Sequence, residues 1–131
     1  MTVLVGYVPT PEGEAALRAG IDEARTKGET LLVVNTTRGD AYADHAFAEQ
    51  KDLDHVRREL TELGVDFEIR QVVGGRDADE EILDLAASSE ASLIVIGLRH
   101  RSPVGKLIMG SAAQRILLGA PCPVLAVKAD S

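Results

Sequence analysis

ASLIVIGLRHRSPVGKLIMGSAAQRILL, residues 91–118, joins an apolar run, a cationic loop and a helical pattern without a break. SLIVIG (92–97) is the most apolar strand of the chain, as one covered on both faces is. GLRHRSPVGKLIMGS (97–111) opens and closes with glycine motifs and carries Arg99, Arg101 and Lys106 with no acid between them. AAQRILL then resumes apolar residues at helical spacing. A buried strand that passes through a loop into a helix is part of a βαβ unit. Reading outward from it finds the same alternation elsewhere.

TVLVGYV (2–8) is a short apolar run with β-branched residues and predicts a buried strand. After PTPEG, Leu17, Ile21 and Ala24 recur at helical spacing, and Gly28 is the expected stop. TLLVVN (30–35) predicts a second strand, and RGDAYADHAFAEQ (38–50) a polar loop or frayed helix start. Leu53, Val56, Leu60 and Leu63 share one helical face that ends at Gly64. VDFEIRQVV (65–73) alternates, as a strand near a sheet edge does. Asp77 and Glu80 have the spacing of a capping box before a helix to about Ala87. A last helix is expected from about Ser111 to Leu118, stopped by Gly119 and Pro121, with PVLAVK (123–128) as the fifth strand.

Five strands separated by four helices predict an α/β fold, an open parallel sheet with helices on both faces. At 131 residues the chain suits one domain, 1–131, without linker, repeat or low-complexity segment. Ligands of such sheets bind beyond the carboxyl ends of the strands, where the winding reverses. Loop 97–111 leaves such an end.

Composition narrows the function. Aromatic residues are 3% of the chain, which leaves almost no platform for stacking bases. No apolar run approaches ~20 residues, and MTVLVGYVPTPEGE has no basic stretch ahead of an apolar one, so neither a membrane span nor a secretory signal is expected. The single Cys122, in APCP, fits a reducing cytoplasm and a small packing role. Net charge is −7, unevenly spread. Residues 1–90 hold 20 acids against 9 bases, a balance of −11, and residues 91–131 hold 1 acid against 5 bases, a balance of +4. An acidic body disfavours nucleic acid, while a local cationic patch can hold a small anion.

The loop has the parts of a phosphate cradle. Glycine admits close main-chain approach, and Gly110-Ser111 opens a helix whose free N–H groups favour an anion. Ser111 can cap that helix or donate to a phosphate oxygen, and Arg99, Arg101 and Lys106 add charge. Glycines that only permit turns and a serine that only caps fit the composition equally well. A Walker A loop would need glycine at His100 and Ser or Thr at Leu107, so that pattern is excluded. His45 and His55 lie in polar surroundings and make no metal site. Ser111 has no nucleophile elbow and His100 no orienting acid nearby, so no catalytic residue is assigned.

The pattern present is G-x2-H-x9-G-S, from Gly97 through His100 to Gly110 and Ser111, with APCPVLAVK (120–128) behind it. With VVGGRDADEEIL and the following SLIVIG, it resembles the universal stress protein family, whose nucleotide-binding members carry G-x2-G-x9-G-[ST] here. The resemblance covers essentially the whole chain. It implies strand order 3-2-1-4-5, a homodimer and, in one branch, ATP or AMP held between the first and fourth strands, with Mg2+ left open. It sets Gly97, Gly110 and Ser111 at the phosphate and ribose, with Arg101 and Lys106 in the same loop. Val34 falls where the second strand meets adenine, and Thr10 stands in place of a serine. His100 replaces the second motif glycine, either touching a phosphate or accommodating a turn. Val8 replaces an acid that would bond the nucleoside, a loss of roughly 0.5–1.5 kcal/mol.

Three functions follow from these readings. The first is an adenine-nucleotide-binding regulatory protein of the stress response, and the second a dimeric interaction module that binds none. The third is an enzyme, at most a weak ATPase. The dimer is expected through PVLAV, where Val124, Leu125, Ala126 and Val127 are apolar on both faces of an edge strand.

Overall fold

The computed structural model describes residues 1–37, 50–73, 77–98 and 111–129. The elements are β1 (Thr2–Gly6), α1 (Pro11–Lys27), β2 (Thr30–Thr37), α2 (Gln50–Leu63), β3 (Phe67–Val73), α3 (Ala78–Ser88), β4 (Ala91–Leu98), α4 (Ser111–Gly119) and β5 (Val124–Lys128). The five strands form one sheet of order β3-β2-β1-β4-β5, with every neighbouring pair parallel. This is the open α/β sheet expected above, and its winding reverses between β1 and β4. The expected loop up to Glu49 lies outside the described residues.

Period-two alternation splits each strand between two cores. Val3, Val5, Leu31, Val33, Leu93 and Val95 face α1 and α2, where they meet Leu17, Ile21, Leu53, Val56 and Leu60. Leu4, Leu32, Val34, Ile94 and Ile96 face the other way, onto Ile82 and Ala86 of α3 and Ile116 of α4. With so few aromatics, branched aliphatic side chains do the filling.

The helix ends follow from local chemistry. Thr10 is extended (φ −135°, ψ 166°) and its hydroxyl accepts from Gly13 N at 3.2 Å, while Pro11 takes the first helical turn. Gly28 ends α1 at φ 67°, its N–H bonded to the Ala24 carbonyl.

Three expectations need correction. Leu63 carries on the apolar stripe of α2 but is the helix's last residue, where the chain turns at Gly64, and it stays 41% exposed. Asp77 precedes α3 in extended conformation, yet its side chain makes no capping hydrogen bond. A distant partner competes for it, because the Asp77 carboxylate lies 3.5 Å from the Arg115 guanidinium of α4. Finally, the first strand stops at Gly6 rather than residue 8. Just past that point the Tyr7 carbonyl bonds a side chain of β2, described next.

Candidate functional site

β1 is the shortest strand at the centre of the sheet. Its pairing with β2 ends at Gly6↔Val34 and with β4 at Val5↔Val95. β2 runs on beside β3 to Thr37↔Val73, and β4 runs on beside β5 to Leu98↔Lys128. The carboxyl edge therefore has a notch where the winding reverses, flanked by two strand ends that have lost their inner partner. Ligands of doubly wound sheets bind at such a place.

The floor of the notch is the β1–α1 turn. Tyr7 N still donates to the Val34 carbonyl at 2.8 Å, but the Tyr7 carbonyl accepts from Asn35 Nδ2 at 2.8 Å, not from the β2 main chain. Asn35 Oδ1 in turn accepts from Gln71 Nε2 at 3.1 Å. The chain then turns, with Thr10 N donating to the Val8 carbonyl at 2.8 Å, and enters α1. Tyr7 itself points toward α1 and α2, only 2% exposed, and its hydroxyl donates to Glu14 Oε1 at 2.9 Å. Burial pushes the Tyr7 phenol well above its ordinary range, and the Glu14, Asp52 and Glu59 carboxylates push it further.

Two glycines let α1 settle against this floor. A Cβ on Gly97 would meet the main chain of Glu12, with the carbonyl carbon at 2.7 Å. A Cβ on Gly13 would meet the Val8 carbonyl carbon at 2.7 Å and Val8 Cγ2 at 2.8 Å. Thus the first motif glycine, Gly97, is required by the packing of α1 on β4 whatever else it does.

The site residues expected from sequence fall into three groups. Thr10, Val34 and Gly97 come together around the end of β1. The Thr10 hydroxyl is engaged as the cap of α1 but keeps a proton to donate. The Val34 side chain, 1% exposed, belongs to the α3-side core and its carbonyl serves Tyr7. Ser111 opens α4, and its side chain lies outside the described residues. Arg99, His100, Arg101, Lys106 and Gly110 also lie outside them. Sequence reasoning missed Tyr7, Asn35 and Gln71. The available signal was a polar Asn35 directly after the apolar run LLVV (31–34).

Electrostatics separates the four helix N-termini. α1 carries Glu12 and Glu14 in its first turn, α2 carries Asp52, and α3 carries Asp79, Glu80 and Glu81. α4 carries no acid there. An anion is repelled by first-turn carboxylates and attracted by bare N–H groups, so α4 is the favourable end. Arg115, farther along α4, lies 3.7 Å from the buried Asp79 as well as near Asp77, which ties α4 to α3.

Away from the notch, His55 is exposed, and no cluster able to hold a metal occurs among the described residues. Cys122 packs partly buried against the α3-side core, and that burial raises its thiol pKa, as a packing residue requires. No helix among the described residues is long and apolar enough to cross a membrane.

Comparison with known proteins agrees with this architecture. The model of the universal stress protein family matches residues 1–128. A universal stress protein of Mycolicibacterium smegmatis is 53% identical over 126 residues, covering 96% of both chains. The solved structure of a universal stress protein from Archaeoglobus fulgidus has a TM-score of 0.70 at 30% identity, covering 95% of this chain and 96% of that one. A structure from the same organism in complex with dAMP has a TM-score of 0.64 at 25% identity, covering 95% and 94%.

Proposed function

The chain belongs to the universal stress protein family, and on that premise we propose that it binds an adenine nucleotide, AMP or ATP, at the notch. The base and ribose lie against the ends of β1 and β2, near Thr10 and Val34. The phosphates lie at the start of α4, held by Gly110, Ser111 and the cations Arg101 and Lys106, with His100 beside them. Mg2+ would accompany ATP. The role is regulatory, within the stress response and the cytoplasm, and no residue is given a catalytic part. A homodimer through β5 completes the reading.

The observation that carries it is the helix asymmetry. Among the four described helices, α4 alone opens without a first-turn acid, and it follows the loop whose charged residues are all basic. The dAMP complex of the Archaeoglobus fulgidus relative supports an adenine nucleotide in particular.

A second reading rests on Gly97 and Thr10, both of which have structural work without any ligand. In it the chain keeps the fold, lacks the acid replaced by Val8, and acts only by binding other proteins. Mass spectrometry of small molecules released on denaturing the purified protein separates the two, followed by calorimetry on the stripped protein. Gly110→Val should weaken ATP binding by about tenfold or more, because a side chain there occupies phosphate space, while the far-UV spectrum stays native. Equal affinity in both proteins overturns the cradle.

A further inference from the structure

Asn35 is a polar residue wholly buried in the middle of the sheet, where the preceding residues of its strand are Leu31, Leu32, Val33 and Val34. Asparagine is a poor strand residue, and a buried amide must place both its donors and its acceptor. Here both ends are placed, Nδ2 on the Tyr7 carbonyl at 2.8 Å and Oδ1 on Gln71 Nε2 at 3.1 Å.

The first of these bonds has a geometric consequence. In a parallel ladder, the residue that donates to residue 34 gives its own carbonyl to the N–H of residue 36. Tyr7 donates to Val34, but its carbonyl goes to the Asn35 side chain. One carboxamide thus takes over the rung that would have continued β1. The chain is held at Tyr7, leaves β2, and turns through Val8 to the Thr10 cap of α1.

We propose that Asn35 is a positioning residue for the nucleotide, setting where β1 ends and holding the 8–10 turn that forms the floor of the notch. This rests on the nucleotide reading above. Asn35 touches the ligand through nothing but the turn it holds, and Gln71 orients it by occupying Oδ1.

Asn35→Asp keeps the shape and exchanges the donor for a carboxylate, which donates only when protonated. Burial beside a carbonyl raises the pKa of such an acid, so the donor should return in mild acid. AMP affinity is measured by calorimetry as the ratio of variant to unmodified protein, which cancels the titration of the phosphate. The ratio should be about one-tenth or lower near pH 8 and rise to within about threefold of unity near pH 5.5. Asn35→Leu, which has no donor, should stay weak at both. Hydrogen exchange over residues 7–14 without nucleotide should be faster in Asn35→Asp near pH 8 than in the unmodified chain. If that variant does not fold, Gln71→Leu should still bind AMP about threefold more weakly, with faster exchange over 7–14. Equal affinity of Asn35→Asp and unmodified protein near pH 8, or a ratio that does not rise with acid, overturns the positioning role alone. Absence of AMP binding by the unmodified protein overturns the nucleotide reading and this proposal together.

Discussion

A methyl group at residue 97 would sit 2.7 Å from the carbonyl carbon of Glu12, and main chain cannot swing away as a side chain can. Gly97→Ala should therefore cost about 1–3 kcal/mol in urea unfolding without nucleotide, the range for forcing extra bulk into a packed site. A cost near zero would free Gly97 from its packing role. Gly110→Val, by contrast, is expected to act on binding. Two glycines of one motif thus answer to different measurements. Tyr7 gives a second residue-scale test. Its phenol is raised in the folded state from an ordinary value of 10.0, so above pH 10 the unfolded chain loses this proton while the native chain keeps it. Stability from this group is whole below pH 10 and falls as pH rises, by about 1.4 kcal/mol per unit. Tyr7→Phe should lose about 0.5–1.5 kcal/mol at neutral pH with its bond to Glu14, and should show a flatter decline above pH 10. Parallel declines in the two proteins would place the alkaline loss elsewhere.

At the scale of elements, two turns share a left-handed backbone and fill it with opposite residues. Glu90, exposed between α3 and β4, is held at φ 54°, a region that costs a non-glycine residue about 1–2 kcal/mol. Glu90→Gly should raise the unfolding free energy measured in urea, by about 0.5–1 kcal/mol once the added freedom of the unfolded chain is subtracted. Gly28 is the converse, at φ 67° with open space around it, so Gly28→Ala should lower stability by about 1 kcal/mol through backbone strain alone. If both substitutions move stability in the same direction, the turn geometry is not what decides them. Gly28 was legible in the sequence because helix stops are local, as were the spacing of Leu17, Ile21 and Ala24 and the apolar run of β4. Strand order was legible only through family resemblance, since periodicity cannot say which strands are neighbours. What escaped depends on partners far apart in the chain. Asn35 reaches back to Tyr7 across 28 positions, and Asp77 turns from its cap toward Arg115. The notch itself is a difference in strand length made by that first bond. The proposed phosphate cradle rests on a motif of glycines and cations that the sequence displays, whereas the floor of the notch was not legible there.

For the whole molecule, the question is what covers the β5 edge. β5 pairs with β4 and ends the sheet on that side. Pro123 offers its carbonyl inward to Ile94 N at 3.0 Å, so alternation turns the main-chain groups of Val124 and Ala126 outward, away from β4. Val124 and Ala126 pack their side chains on the α3-side core, Val127 packs on the α1 side, and Leu125 remains 36% exposed. Leu117 and Leu118 of α4 add exposures of 38% and 89%. An apolar edge with outward donors and acceptors invites a second strand, and a two-fold axis lets the same edge serve both copies. Sedimentation of the unmodified chain at micromolar concentration should therefore report about twice its 13.9 kDa. Val124→Pro removes an outward N–H at the first residue of the strand, where proline is tolerated and the inner ladder to β4 is spared. Leu125→Glu adds a charge to the exposed side chain. Each should yield a folded protein of about half the sedimenting mass, with the far-UV spectrum unchanged. A monomer from the unmodified chain, or dimers that survive both substitutions, would remove β5 as the contact.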